Sequence, residues 1–303
     1  MVSCTDIAKS FEGNIALEDI NLDIKKAELF GLIGPDGAGK TTLFRIISTL
    51  LVPDKGEARV MGLDTVNDYR LLRHNIGYMP GRFSLYHDLS VEENLEFYAT
   101  VFNTTVKKNY HLIKDIYSHI EPFRKRLAAK LSGGMKQKLA LCCALIHAPD
   151  LIILDEPTTG VDAVSRTEFW EMLDKLQKEG ITILVSTPYM DEAMLCDRVA
   201  LIQKGRILDM NKPSDITGRF SKKIYAVKGQ NMFRLIQDLR AAGSVDSVYP
   251  FGDSVHISFV SERYDRRLTG YLHEKGHGGV KIDQIEPGIE DVFLELMSKQ
   301  DND

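Results

Sequence analysis

The sequence predicts an α/β fold: a parallel-sheet core built around a phosphate-binding loop, with antiparallel β and helical subdomains, then a small α+β domain. Three observations carry this reading. Gly34-Pro35-Asp36-Gly37-Ala38-Gly39-Lys40-Thr41 fits G-x-x-x-x-G-K-[ST] and lies between the apolar run Leu29 to Ile33 and Thr42-Leu43-Phe44-Arg45-Ile46-Ile47, the strand, loop, helix setting this motif needs. Leu151-Ile152-Ile153-Leu154 is a short apolar run closed by Asp155-Glu156, the pattern of a buried parallel strand ending in carboxylates. From Ile224 to Ile285 the hydrophobic periodicity runs β-α-β-β-α-β, the ferredoxin-like order.

In chain order, residues 1 to about 35 read as short strands with turns at Glu12-Gly13-Asn14 and Lys25-Lys26. The helix after the loop stops before Pro53, and Pro53-Asp54-Lys55-Gly56 turns into a strand around Ala58 to Met61. From Arg82 to Lys130 the pattern turns helical. Ser90 and Glu93 form a capping box, Val91, Leu95, Tyr98 and Phe102 share one face, and a second stripe runs from Leu112 to Ile120. Leu131-Ser132-Gly133-Gly134-Met135 opens an apolar helix with Ser132 as its N-cap. After the acidic strand, a helix from about Ser165 to Lys178 is closed by Gly180, Ile181 to Val185 is a buried strand, and Val199 to Ile202 with Ile207 to Met210 is a hairpin turned at Lys204-Gly205. A polar connector from about Asn211 to Lys222 precedes strand Ile224 to Lys228, helix Met232 to Ala241, strands Val245 to Tyr249 and Ser254 to Phe259, helix Arg263 to Lys275 and strand Val280 to Ile285. The expected domains are therefore 1–218, with a helical subdomain at about 82–135, and 219–303.

The chemistry follows from residue types. Glycines let the loop wrap closely enough for backbone N–H groups to meet phosphate oxygens, and the helix start behind them adds positive potential. Lys40 is placed to bridge the β- and γ-phosphates, Thr41 to ligate magnesium, and Thr42 to follow in the same helical turn. Ligands of parallel sheets sit at the carboxyl ends of strands, so Asp155 is expected to hold Mg2+ and Glu156 to act as general base on the attacking water. Ser132, Gly133 and Gly134 offer a second set of helix-start N–H groups to an anion.

Together these stretches resemble the ATP-binding cassette (ABC) family of ATPases over residues 1 to about 215, in the expected order. The resemblance implies a P-loop NTPase core, ATP and Mg2+ as cofactors, and two subunits packed head to tail. Ser132, Gly133 and Gly134 would then touch the γ-phosphate of the ATP on the partner subunit. It further implies that Asp162 is a dimer-contact aspartate and that Phe11 stacks on adenine, with a core aromatic as the alternative for Phe11. The partner is a copy of itself or another such ATPase. The helical subdomain would dock on integral membrane permease subunits, with Phe83, Leu85 and Tyr86 as candidates for the docking groove or, equally, for core packing. The ending Ile285-Glu286-Pro287-Gly288-Ile289-Glu290-Asp291-Val292-Phe293 looks like that of ATPases from bacterial drug and antibiotic exporters.

Two positions depart from that pattern. Gly81 stands where a glutamine senses magnesium and the attacking water, and Pro188 stands where a histidine bonds the γ-phosphate. Neither side chain donates or accepts. Slow hydrolysis is expected, unless Arg82 or Tyr189 fills the gap.

Composition sets the class. The 303 residues carry 44% hydrophobic and 27% charged side chains and a net charge of −5, which gives no global basicity for nucleic acid. No apolar run approaches the roughly 18 residues of a spanning helix, and the start does not read as a signal peptide. The expected location is cytoplasmic, peripheral on the inner face of the cell membrane. Cys4, Cys142, Cys143 and Cys196 lack metal-ligand spacing and read as structural thiols. The leading function is the ATP-hydrolysing subunit of an exporter, with an ATP-gated regulatory clamp of little turnover as the alternative. A cassette acting on DNA or ribosomes is disfavoured, since no coiled-coil insertion and no zinc-type cysteines occur.

Overall fold

The computed structural model describes residues 1–81, 85–261 and 265–300. Arg82, Phe83 and Arg263, named above, lie outside the described residues. Two units separate by internal contacts, Met1–Pro213 and Ser214–Asp303.

The first unit holds β1 (Val2–Phe11), β2 (Asn14–Ile24), β3 (Leu29–Ile33), α1 (Lys40–Ile47), β4 (Lys55–Val60), β5 (Leu63–Asp64), α2 (Tyr69–Asn75), β6 (Ile76–Met79), α3 (Val91–Val101), α4 (Val106–Tyr117), α5 (Gly133–Leu145), β7 (Leu151–Asp155), α6 (Ala163–Lys178), β8 (Thr182–Thr187), β9 (Arg198–Gln203) and β10 (Arg206–Asn211). An antiparallel sheet runs β2-β1-β4-β5, and a second sheet runs β10-β9-β3-β8-β7-β6. In the second sheet β9, β3, β8, β7 and β6 are parallel, and only the edge strand β10 is antiparallel. Every residue of β3, β7 and β8 is buried, as strands covered on both faces must be. Ile7, Leu17 and Ile20 of the first sheet, Phe30, Leu32, Ile153 and Leu184 of the second, and Leu43, Phe44 and Ile47 of α1 pack in one core.

Local chemistry sets the helix starts. Ser90 Oγ accepts the Glu93 N–H at 3.3 Å while the Ser90 N–H donates to Glu93 Oε2 at 2.7 Å, the reciprocal box expected at α3. Ser132 Oγ accepts the Met135 N–H at 3.3 Å and caps α5. Helix α6 begins at Ala163 rather than Ser165, because Asp162 Oδ1 accepts the Ser165 N–H at 3.0 Å and serves as N-cap. That bond holds the Asp162 carboxyl below the usual range. Leu85 is buried, which answers one of the docking candidates with core packing; Tyr86 is exposed and sets its ring edge-on against Phe97, 4.5 Å between centroids. The fully buried Asn94 ties this segment down, accepting the Tyr86 N–H at 2.9 Å and donating to the Tyr86 carbonyl at 3.0 Å.

The second unit is taken up by β11 (Ile224–Lys228), α8 (Met232–Ala241), β12 (Val245–Phe251), β13 (Ser254–Phe259), α9 (Arg267–Glu274), β14 (Lys281–Ile285) and α10 (Ile289–Gln300), and α7 (Pro213–Gly218) opens at its boundary. Its antiparallel sheet runs β12-β13-β11-β14 and packs Leu235, Leu239, Leu268 and Leu272 of α8 and α9 over Val227, Val255 and Ile257. The connector contains α7, β12 runs on to Phe251 and α9 begins at Arg267; the terminal segment, which carries no clear periodicity, is helical from Ile289, where Asp291 Oδ2 accepts the Gly288 N–H at 2.8 Å and Val292 and Phe293 are buried.

All four cysteines are buried, and burial pushes the Cys4 thiol up to about 12 and those of Cys142, Cys143 and Cys196 well above the ordinary thiol range. Titration with a thiol reagent should therefore find no reactive group in the native chain and four after denaturation; prompt labelling of the folded chain would contradict this packing. Among the described residues no helix is long and apolar enough to cross a membrane.

Candidate functional site

Four adjacent parallel strands, β3, β8, β7 and β6, end on one side of the second sheet, and each delivers part of the site. At the end of β3, Gly34 runs so close to β9 that a Cβ there would stand 2.2 Å from the Ile202 carbonyl oxygen. Gly39 takes φ +107°, and a Cβ would meet the Ala16 carbonyl oxygen at 2.6 Å, so only glycine lets the loop turn into α1 beside β2. Among the described residues no side chain caps α1, and the Leu43 N–H is the one that reaches the Gly39 carbonyl, at 3.0 Å. The N–H groups of Lys40, Thr41 and Thr42 are thereby left for an anion. Asp36 and Gly37 are exposed at the rim, Ala38 is buried, and the Ala38 N–H closes the turn on the Pro35 carbonyl at 3.2 Å.

Lys40 is 3% exposed, and its Nζ donates to the carbonyls of Gly34 (2.7 Å) and Pro35 (3.0 Å). The same nitrogen lies 3.1 Å from Glu156 Oε1. The ammonium is thus held centrally over the loop, desolvated and compensated, where phosphate oxygens can replace its present partners.

The carboxylates sit at the end of β7. Asp155 is 2% exposed, and its Oδ1 accepts a 2.7 Å bond from Ser186 Oγ. Glu156 leaves the strand with φ +51°, a left-handed conformation that costs a non-glycine residue about 1–3 kcal/mol and persists only where surroundings enforce it. Its N–H is gripped by Ser186, 3.1 Å to the carbonyl and 3.0 Å to Oγ. That turn brings the Glu156 carboxylate back to Lys40. Ser186 opens the stretch that leads to Pro188, but the sequence assigns its side chain no role; the one signal is a hydroxyl at the end of the otherwise apolar Ile183 to Val185 run.

Gly81 lies beside these groups: a Cβ on it would stand 3.0 Å from the Asp155 carbonyl oxygen and 3.8 Å from Asp155 Oδ2. Gly81, Leu85, Gly133, Gln137, Asp155 and Glu156 are among the residues lining a cavity of about 290 Å3. The start of α5 therefore borders the carboxylates of its own chain. It also packs on α6, since a Cβ on Gly134 would meet Ser165 Oγ at 2.6 Å. Pro188 follows Thr187, whose carbonyl accepts the Gly34 N–H at 3.3 Å, so position 188 adjoins the loop. Tyr189 is engaged by the Arg166 guanidinium, 4.7 Å above its ring. Phe11 is 46% exposed at the end of β1, with Lys9 Nζ 5.6 Å from its ring centroid, so it belongs to the surface and not to the core.

The donor set suits a magnesium-bound triphosphate. Thr41 and Asp155 are hard oxygen donors; Mg2+ keeps waters and takes one or two protein ligands alongside substrate phosphates, and among the described residues no group of three or more His, Cys, Asp or Glu side chains forms a cage of its own. One buried ammonium, bare helix-start amides, a buried carboxylate and a second, partly exposed one can bind a polyphosphate and activate water.

A family model described as ABC transporter matches residues 17–159. The chain is similar to the probable multidrug ABC transporter ATP-binding protein YbhF of Escherichia coli (strain K12), 36% identical over 303 residues that cover 98% of this chain and 52% of that protein. It spans about half the length of that relative. It is also similar to Nod factor export ATP-binding protein I of Rhizobium etli, 31% identical over 309 residues covering 99% of this chain and 94% of that protein. Among solved structures, a dimeric ATP-binding cassette in a post-hydrolysis state with ADP and Pi aligns with a TM-score of 0.63 at 26% identity, over 70% of this chain and 98% of that one.

Proposed function

Because this chain belongs to the ABC transporter ATPase family, we propose that it is the ATP-binding and ATP-hydrolysing subunit of an ABC-type membrane exporter, powering transport through a separate permease. The observation that carries this is the convergence of Lys40, Asp155 and Glu156, with Lys40 Nζ 3.1 Å from Glu156 Oε1 at the mouth of the loop. The exporter reading draws on the relatives, one named as a multidrug transporter ATP-binding protein and one as a Nod factor export ATP-binding protein. None of them favours the regulatory clamp.

In this reading residues 1–218 are the cassette and 219–303 an accessory, regulatory domain. The loop from Gly34 to Gly39 wraps the phosphates and the amides of Lys40, Thr41 and Thr42 meet them, Lys40 exchanges Glu156 for the β- and γ-phosphate oxygens, and Phe11 offers its exposed ring to adenine. Thr41 and Asp155 would hold Mg2+, which neutralises phosphate charge as the terminal phosphoryl group is transferred. Glu156, released from Lys40, takes the proton of the attacking water. Ser132, Gly133 and Gly134, at the start of α5, face the γ-phosphate on a partner subunit, so closure on ATP and reopening after hydrolysis supply the stroke. The chain would sit on the inner face of the membrane by way of the permease. A mostly apolar cavity of about 390 Å3, lined by Leu50, Tyr98, Val101 and Phe102 among others and edged by Arg73 and His74, with Leu50 and Val101 exposed, suits a permease segment better than the buried Leu85 does.

Phosphate release by the purified chain, alone and in membranes with a co-expressed permease, tests the proposal. Stimulation by the permease and loss in Lys40→Ala are expected. A chain that stays monomeric when saturated with ATP under non-hydrolysing conditions, even beside its permease, would overturn it.

A further inference from the structure

Ser186 is fully buried in β8 and bonds both acidic residues of the site, Asp155 through its carboxylate and Glu156 through its backbone N–H. Strands β7 and β8 are parallel with Asp155 opposite Ser186, so this hydroxyl lies beside the Asp155 side chain by register alone. A serine hydroxyl has one hydrogen and two lone pairs. The hydrogen goes to Asp155 Oδ1 at 2.7 Å, and a lone pair accepts the Glu156 N–H at 3.0 Å. The first bond occupies Oδ1 and leaves Oδ2 on the side of Gly81, 3.8 Å from where its Cβ would stand. The second holds Glu156 in the left-handed turn that brings its carboxylate to Lys40.

We propose that Ser186 is a positioning residue for hydrolysis: one hydroxyl sets the rotamer of the carboxylate that would hold Mg2+ and the backbone turn of the carboxylate that activates water. This rests on the roles assigned above to Asp155 and Glu156. The coupling matters more here than in a site with a full set of polar loops, because Gly81 and Pro188 contribute no polar side chain, and a misoriented Glu156 has no neighbour at those positions to steer the water. Residues that orient a metal ligand from behind typically change metal affinity or activity by about 10- to 100-fold when removed.

The test uses the full chain as wild type, Ser186→Ala and Ser186→Thr, the last keeping the hydroxyl. A fluorescent ATP analogue is titrated with EDTA and with Mg2+, and single-turnover hydrolysis is followed at saturating ATP. In Ser186→Ala, affinity in EDTA should stay within a few-fold of wild type, on the tighter side if Glu156 releases Lys40, while the gain conferred by Mg2+ should shrink by about tenfold or more and the hydrolysis rate should fall by a similar factor. Ser186→Thr should restore both. Where the alanine chain fails to melt cooperatively, Ser186→Cys, with a similar volume and a weak donor, takes its place with the same readouts. A folded Ser186→Ala chain with wild-type Mg2+ response and rate overturns the inference. Asp155→Asn and Glu156→Gln separate the levels: if these lose hydrolysis while Ser186→Ala does not, only the Ser186 role fails; if they hydrolyse normally, the reading of the site fails with it.

Discussion

Replacing Glu156 by Gln should slow single-turnover ATP hydrolysis by about 100- to 10,000-fold, the range a positioned general base contributes. The amide keeps the size and the left-handed turn, whose Ser186 bonds are to the backbone N–H and survive the change. What is lost is a proton acceptor. The structure adds a second expectation of opposite sign for binding. Glu156 Oε1 lies 3.1 Å from Lys40 Nζ, so a triphosphate competes with this carboxylate for the ammonium. Neutralising the competitor should tighten nucleotide binding by a few-fold even as hydrolysis stops. Quenched-flow hydrolysis and equilibrium titration of the same preparation check both. Hydrolysis near the wild-type rate would assign the proton to another group, and weaker binding would mean that Lys40 does not exchange partners as inferred.

The second large effect is a gain. Restoring the missing side chains in a Gly81→Gln, Pro188→His double variant should raise the single-turnover rate by about 100-fold or more, since one preorganised donor at a transition state lowers the barrier by roughly 2.7–4 kcal/mol. Packing divides that gain unevenly. A Cβ at position 81 falls 3.0 Å from the Asp155 carbonyl oxygen, so Gly81→Gln must shift its loop by a few tenths of an ångström before the amide reaches the site. Pro188→His adjoins the loop through Thr187 and should carry the larger share alone. An unchanged rate in the double variant would show that hydrolysis here does not depend on those two positions.

Much of this was legible before the fold, for reasons visible in individual elements. Ser90 with Glu93 and Ser132 with the Met135 N–H are contacts three residues apart, and their partners are written next to them. Helix α8 and strands β11 and β13 have the bounds their periodicity implies. Short, weakly patterned pieces were not readable. The edge strand β6 and helix α2 are too short to show a periodicity, and α7 lies in a stretch whose polar composition reads as a connector. Helix α6 starts at Ala163, two residues before the expected Ser165, because the Asp162 side chain caps it. Phe11 could have gone either way on composition; only its position at the strand end shows it exposed.

The amino-acid order alone determined the class of chemistry: a lysine and threonine behind a glycine loop, two carboxylates closing an apolar strand, and two positions where a polar side chain is missing. The tertiary structure decided how they act on one another. Ser186 and Asp155 are 31 residues apart, and Lys40 and Glu156 still further, yet each pair is in contact. The reason is physical. Periodicity and caps report forces between residues a few positions apart, whereas a hydroxyl that serves two carboxylates exists only once strand order and register have set β8 between β3 and β7.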